Sequence, residues 1–336
     1  MKHETVLVTG GAGFIGSHVS RHLLSSGRNV VVLDDLSGGF KENVPRESHF
    51  VEGDTGNIDL IDDLFEKYEF SHVFHLAAYA AEGLSHFIRG FNYRNNLLGS
   101  VPLINAAIRH KCKTLVYTSS IAVYGANQLP MTEDLMPSPE DPYGIAKLAV
   151  ELDLKAAQHM FGLNYIIFRP HNVYGIRQNI GDPYRNVIGI FMNQIMQGKP
   201  LTIFGDGTQT RAFSHIDEVA PHIAASVDIP EAQNQIFNIG ADQTYSVCEL
   251  ARGVLSSMKS DLPLEFLPPR NEVQHAYASH EKAQSVFTSN RNPVTLRDGL
   301  REMAEWARVV GVRTGKAFEG IELIEGLPPS WKKLLK

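Results

Sequence analysis

Thr9-Gly10-Gly11-Ala12-Gly13-Phe14-Ile15-Gly16 follows the apolar run Val6-Leu7-Val8 and precedes a helical pattern at Ile15, Val19, Leu23 and Leu24. A strand, a glycine turn and a helix in that order leave the chain few folds, because the turn must set a helix N-terminus directly above a strand end. Gly10 permits the tight turn, Gly13 leaves the backbone bare where an anion approaches, and Gly16 lets the helix pack on the strand. The free N–H groups and positive end of the helix then face a phosphate, with Phe14 and Ile15 in its first turn. A second strand, Val30-Val31-Val32-Leu33, ends in Asp34. An acid at that place, about 20 residues past the glycines, holds the ribose hydroxyls of a dinucleotide.

Asp34-Asp35 also bears on which dinucleotide binds. A carboxylate there repels a 2′-phosphate, and no arginine follows within a few residues to welcome one, so NAD is expected rather than NADP. Asp54, with Thr55 after it, follows the strand His49-Phe50-Val51 and is expected near the adenine; a plain loop aspartate is the alternative.

Strand signals at 5–9, 30–34, 48–52, 72–76, 114–119 and 164–169 alternate with helical patterns such as 60–68, 96–110 and 143–160. Such alternation specifies a parallel sheet wrapped by helices, an α/β Rossmann-type doubly wound fold. The strands read as near-continuous apolar runs, as expected when both faces are covered. After Arg169-Pro170 the alternation stops, and Ile236-Phe237-Asn238-Ile239-Gly240 is expected to rejoin the main sheet. The division read from this is a dinucleotide domain over 1–171 and 212–240, with a smaller mixed α/β substrate domain over 172–211 and 241–336. Ligands in open parallel sheets lie beyond the carboxyl ends of the strands, so Gly10, Asp34, Asp54, Ala77, Ser119 and Pro170 are expected to line one crevice.

With 336 residues, 43% of them hydrophobic, the chain can bury a full core and a second, smaller one. A net charge of −6 argues against a nucleic-acid partner. The basic cluster Lys332, Lys333 and Lys336 reads as a solvated tail. No apolar run approaches the roughly 20 residues of a membrane span. Two cysteines and no signal peptide suggest a reduced, cytoplasmic setting. His18 and His22 have ligand-like spacing but read as surface histidines of the first helix, so no metal is expected.

Pro142 precedes Tyr143 at a good helix-start position, and Lys147 follows one turn later on the same face. A tyrosine is a poor base near neutrality, and a Lys ammonium beside it favours the phenolate. Ser119 and Ser120 end the strand Thr114-Leu115-Val116-Tyr117-Thr118, where a hydroxyl can bond a substrate oxygen.

With these residues in hand, the chain resembles the extended short-chain dehydrogenase/reductases. Within them it resembles the NAD-dependent epimerase/dehydratase family of nucleotide-sugar enzymes, UDP-glucose (UDP-galactose) 4-epimerases most of all. The resemblance spans about residues 4 to 308. It is carried by the glycine turn, His75-Leu76-Ala77-Ala78, Asn95-Asn96-x-x-Gly99, Ser119-Ser120-Ile121-Ala122-Val123-Tyr124-Gly125 and Tyr143-x-x-x-Lys147. Arg169-Pro-x-Asn172-Val-Tyr-Gly175, Phe204 to Arg211 and Phe237-Asn-Ile-Gly240 complete the set. It implies that Ser120 holds a sugar 4-hydroxyl, that Tyr143 takes its proton and that Lys147 also bonds the nicotinamide ribose. It further implies cofactor contacts from Leu76, Ala77, Ala78, Asn96, Ser119 and Pro170. Asn172, Arg211 and Arg270 are implied at the substrate diphosphate, with Asn186 nearby. The arginine roles also follow from the bidentate fork a diphosphate requires.

The resemblance also bears on the reaction. Dehydratases of the family carry an Asp-Glu pair after the serine and decarboxylases a Glu, whereas this chain has Ile121-Ala122. Without a second acid, the expected reaction is oxidation at C4 and return of the hydride to the opposite face, with NAD a bound catalyst. The open alternatives are a dehydratase, a uronate 4-epimerase and a non-catalytic dinucleotide sensor. Ala276, in Ala276-Tyr277-Ala278, is expected to gate an N-acetyl group at C2; counting from Arg270 instead would put Tyr277 there. Ala212 stands where the family has an acid. Glu82, His86 and Arg89 have no counterpart and lie where the substrate loop should run. A homodimer is implied through the helices at 96–110 and 143–160. Small apolar residues at Ala146, Ala149, Val150, Leu154 and Ala157 are expected to serve more than one face of the second helix.

Overall fold

The structure is a computed structural model describing residues 4–126, 128–270, 272–287, 293–315 and 318–335. Its first half builds strands β1 (Thr5–Thr9), β2 (Asn29–Asp34), β3 (His49–Glu52), β4 (His72–His75), β5 (Thr114–Thr118) and β6 (Asn164–Pro170). The strand Gln235–Ile239 returns to pair with β6, so the expected rejoining takes place. All pairings in this seven-stranded sheet are parallel, in the order Gln235–Ile239, β6, β5, β4, β1, β2, β3. The strand order reverses between β1 and β4, which opens the ligand crevice of a doubly wound fold.

Helices cover both faces. Leu7, Val31 and Leu33 point to one side, against α2 (Ile58–Tyr68), α5 (Val101–Arg109) and α6 (Pro142–Phe161). Val6, Val8, Val30 and Val32 point to the other, against α1 (Phe14–Ser25) and the helix Ala220–Ala225. The alternation explains why these strands read as unbroken apolar runs. The pattern expected as one helix over 96–110 is broken. Chain from α3 (Glu82–Ser85) runs into α4 (Arg89–Asn96), a tight turn at Leu98–Ser100 follows, and α5 begins with Pro102 in its first turn, where a missing N–H costs no bond.

A second core joins the helices Val187–Met196, Val247–Met258 and Leu296–Val310. The two cores cross the boundary read from sequence. Phe213 packs in the second core, whereas Ala283 and Phe287 pack on the main sheet. Among the described residues beyond Val310, some are anchored. Leu327 and Trp331 pack with Ala81, Leu84, Ile88 and Tyr184 in a separate apolar cluster. Lys332 and Lys333 are exposed, and Lys336 lies outside the described residues.

His18 is buried in α1, not on the surface, and its Nε2 lies 3.1 Å from the Ile176 carbonyl oxygen. Burial lowers His18 and His72 to about 4, and His75 and His171 to about 3. These histidines regain their ordinary value near 6.5 on unfolding, so the unfolded chain binds more protons below that pH. Stability is therefore lost as pH falls from 6.5 toward 4. Glu82, raised to about 7 by burial, acts in the opposite sense, as do Asp34 and Asp141 further toward acid. The histidines dominate, and the expected slope is roughly 2–4 kcal/mol per pH unit at its steepest. Urea unfolding at pH 5, 6 and 7.5 measures it, and equal midpoints at all three would contradict it.

Candidate active site

One cleft of about 940 Å³ runs along the carboxyl ends of the strands and takes in Gly10, Asp34, Asp54, Ala77, Ser119 and Pro170 together. At its β1 end, Gly10 adopts a φ of 70°, and a Cβ there would stand 2.7 Å from the Ala77 nitrogen. A Cβ on Gly16 would meet the Gly10 oxygen at 2.1 Å. Only glycine fits either place. Gly13 precedes α1 and no side chain caps that helix, so the N–H groups around Phe14 and Ile15 face the cleft without a side-chain partner.

Asp34 accepts hydrogen bonds from Ala12 N at 3.0 Å and Leu36 N at 2.8 Å, which fixes its carboxylate at the cleft wall. Burial raises its pKa and the backbone donors pull it back. The donor set fits NAD: bare helix N–H groups for the pyrophosphate and a fixed carboxylate for the ribose. Asp35 lines the cleft but its carboxylate turns to Ser37, at 2.9 and 2.6 Å. Asp54 accepts from Gly56 N at 2.8 Å, and Thr55, Leu76 and Ala78 line the same stretch.

Two expected cofactor contacts have other engagements. The Asn96 amide spends itself on Tyr79, accepting from its N–H at 2.8 Å and donating to its carbonyl at 3.1 Å, and also donates to Asn92. It therefore braces the loop after β4, and its neighbour Asn95 lines the cleft. The Ser119 hydroxyl donates to Glu151 at 2.5 Å, away from the cleft.

Tyr143 and Lys147 occupy the first turns of α6, capped by Asp141, which accepts from Gly144 N at 2.9 Å. Lys147 Nζ donates to the Thr118 carbonyl at 2.8 Å and lies 5.7 Å from the Tyr143 ring centre. Burial lowers Lys147 to about 7, and Glu151 works against that fall. Burial pushes the Tyr143 phenol well above its ordinary value, while a hydrogen bond with Ser120 pulls it down. Ser120 thus sits beside Tyr143 at the base of the cleft, with Ile121 and Ala122 following it.

The same cleft takes in Asn172, Asn186, Arg211, Arg270 and Ala276. Asn172 donates to the Ala212 carbonyl at 3.1 Å, and Asn186 takes a left-handed φ of 68° before Val187–Met196. With Ala212 in place of an acid, Arg211 turns to backbone oxygens of Thr210 and Val273, and Glu272 lies 3.8 Å away. Arg270 pairs with Glu272 at 3.0 Å and lies over the Phe204 ring at 4.6 Å. Ala276 pairs with Arg211 across a short parallel ladder.

A family profile described as "NAD dependent epimerase/dehydratase family" matches residues 6–240, more than half of the chain. The chain belongs to that family. Among its relatives is a "Putative UDP-glucose 4-epimerase" of Methanocaldococcus jannaschii, 33% identical over 90% of this chain and 98% of the relative. UDP-glucose 4-epimerase of Thermotoga maritima, solved with UDP-glucose, superposes with a TM-score of 0.85 at 32% identity over 91% of this chain and 99% of the other. UDP-N-acetylglucosamine 4-epimerase of Methanobrevibacter ruminantium, solved with UDP-N-acetylmuramic acid, gives 0.83 at 30% identity, over 91% and 98% of the two chains.

Against this family background, several cleft residues were not legible in the sequence. Arg185 approaches Gly38, pairs with Asp182 at 2.6 Å and stacks over Tyr79 at 4.6 Å. Trp331 comes from the tail and lies 5.9 Å from the Arg270 guanidinium. Glu82 and His86, singled out without a role, both line the cleft, as does Asp141. Ile121-Ala122 supply no second acid beside Ser120, as expected, whereas Glu82 reaches the cleft from α3. Its signal was the lone acid of an otherwise apolar segment, Tyr79-Ala80-Ala81-Glu82-Gly83-Leu84. Among the described residues, no cluster of three His, Cys, Asp or Glu side chains could hold a metal ion, and no helix is long and apolar enough to cross a membrane.

Proposed function

We propose that this chain interconverts C4 epimers of a UDP-hexose, of the UDP-glucose/UDP-galactose type and including the N-acetylated pair. The observation that carries the reading is the meeting of Ser120, Tyr143 and Lys147 in the same cleft as the glycine turn, Asp34, Arg211 and Arg270. Ser120 holds the 4-hydroxyl, Tyr143 takes its proton, and Lys147 keeps positive charge beside the phenol. NAD, when bound, accepts and returns the hydride at C4. Asn172, Asn186, Arg211 and Arg270 take the diphosphate side of the substrate, where two cationic forks suit two phosphates. Incubating purified protein with UDP-sugars tests the reading by mass and proton NMR. An epimer of unchanged mass is expected. A product lighter by water would make the chain a dehydratase, and no turnover with retained NAD would favour a dinucleotide sensor.

Ala276 supports the wider substrate range, since it lines the cleft, whereas the Tyr277 carbonyl is held by Met131 N at 3.0 Å. A methyl group at this wall leaves room that a phenol would fill. Ala276→Tyr is expected to reduce kcat/KM for UDP-GlcNAc about tenfold or more, on the scale of 1–3 kcal/mol of overpacking, and to spare UDP-glucose. Equal losses on both substrates would reject the gate.

The working form is a homodimer in this reading. Ala146, Val150, Leu154 and Ala157 turn out to share the buried face of α6. The outward face carries Ile145 and Leu152, 41% and 55% exposed, and at the start of α5 stand Leu98 and Val101, 59% and 37% exposed. A second copy is the natural cover for these side chains. Light scattering at micromolar concentration should give twice the chain mass, and a monomer would contradict it. Cys112 and Cys248 are free thiols, in keeping with a cytoplasmic setting.

A further inference from the structure

Two parts of the chain stand apart from the family motifs: the segment around Glu82 to Phe91, and the tail after Val310. The structure brings them together. A Cβ on Gly83 would stand 3.5 Å from Trp331 Cη2, and the Phe87 and Trp331 rings meet edge to face with centres 6.3 Å apart. Leu84 and Ile88 share an apolar cluster with Leu327 and Trp331. Glu322 caps the start of α4, accepting from Gly90 N at 2.7 Å and Phe91 N at 2.8 Å. The tail therefore backs the segment that carries Glu82.

The other side of that segment is fastened to the catalytic helix. Ser85 Oγ donates to the Glu82 carbonyl at 2.6 Å, and the same oxygen accepts from Tyr143 N at 3.3 Å. Asp141 Oδ1 lies 3.3 Å from Ser85 Oγ. Glu82 is thus two hydrogen bonds from the backbone of Tyr143, and its side chain opens into the cleft. Glu82 is exposed, its surface opening to the cleft, and the crowding of protein around the cleft wall raises its pKa to about 7. Asp141 and Glu272 push in the same direction, and Arg211 and Arg270 pull against them. In return, Glu82 acts on the Tyr143 phenol as a like charge. This one carboxylate shares the cleft wall with the tyrosine and the two arginines and is coupled electrostatically to all three.

That position decides what it meets. If the 4-hydroxyl rests at Ser120 and Tyr143 and the diphosphate at Arg211 and Arg270, the hexose ring spans the interval, so the inference rests on the function proposed above. We propose that Glu82 is a specificity-determining residue that touches the sugar, accepting hydrogen bonds from neutral hydroxyl or amide groups and excluding hexoses that carry a carboxylate. A carboxylate offers acceptors to a hydroxyl or amide donor. It repels a second carboxylate brought beside it in the cleft, which costs binding to the wrong ligand more than it adds to the right one. The groups around it are Tyr143, Asp141, His86, Arg211, Arg270 and Glu272, and no lysine replaces its charge from α3 itself.

The test is calorimetric titration of the NAD-loaded, full-length protein at pH 8 with UDP, UDP-glucose and UDP-glucuronate, repeated for Glu82→Gln and Glu82→Ala. The native protein should bind UDP-glucuronate about tenfold or more weakly than UDP-glucose. Either substitution should narrow that ratio to within about threefold by tightening UDP-glucuronate, with the affinity for UDP itself unchanged. Two variants guard against one that fails to fold, and thermal melting verifies both. UDP binding intact with an unmoved ratio overturns the role of Glu82 alone. Equal binding of both sugars by the native protein also overturns it. No binding of UDP by any form overturns the nucleotide-sugar reading, and the proposal with it.

Discussion

Replacing Tyr143 by phenylalanine should lower kcat by about 10²- to 10⁴-fold, the scale on which enzymes depend on a positioned proton acceptor. The ring would stay where it is, because what places it is not its hydroxyl. Asp141 caps α6 through Gly144 N at 2.9 Å, and Ser85 accepts from Tyr143 N. NAD content should therefore be unchanged, which separates lost chemistry from lost structure. The phenol needs help to act as a base, since burial holds its pKa above the ordinary value near 10. Lys147 is placed to give that help, 5.7 Å from the ring centre and tied to Thr118. Steady-state kinetics with cofactor quantified after denaturation checks the expectation. Turnover near that of the native protein would remove Tyr143 from the mechanism.

Glu151→Gln should cost about 3–5 kcal/mol of stability, because it leaves a buried guanidinium without its counter-charge. Glu151 and Arg169 are 0% and 1% exposed in their side chains, with contacts of 2.5 and 2.9 Å between them. Arg169 also donates to Tyr124 at 2.7 Å, and Tyr124 to Asn238 at 2.9 Å. One charged pair thereby ties α6 to β6 and to the strand Gln235–Ile239. Urea unfolding measures the loss. A second substitution, Arg169→Met, should restore much of it, since the orphaned charge is then gone. A loss under about 1 kcal/mol in the single variant would contradict this account.

The sheet was legible because its signals are local. An unbroken apolar run marks a strand covered on both faces, and Gly10 and Gly16 have no substitute in a turn this tight. Tyr143 and Lys147 were legible because helical spacing alone puts them on one face. What sequence could not give was convergence between distant segments. Asn96 and Ser119 follow the family pattern in sequence, yet Tyr79 and Glu151 claim their side chains, and only three-dimensional neighbours reveal that. Of Ala146, Ala149, Val150, Leu154 and Ala157, read as serving more than one face of α6, all but the half-buried Ala149 form a single buried stripe, and the outward positions are Ile145 and Leu152. Glu82 was visible as an oddity, but its role depends on what Ser85, Trp331 and Arg270 bring beside it. Lys332 and Lys333 are exposed, as read; what the sequence hid was the anchoring of Trp331, which depends on the distant Ala81 and Leu84.

That tail changes how the molecule can breathe. The chain first crosses from the sheet to the second core just after β6. The segment past Val310 crosses back, laying Arg313, Thr314 and Gly315 along the cleft before Trp331 seats against Ala81 and Leu84. The cleft is thus laced on two sides rather than hinged on one. Wide opening requires unseating an aromatic plug, so exchange of a bulky ligand is coupled to local release of the lace and not to a free swing of the two halves.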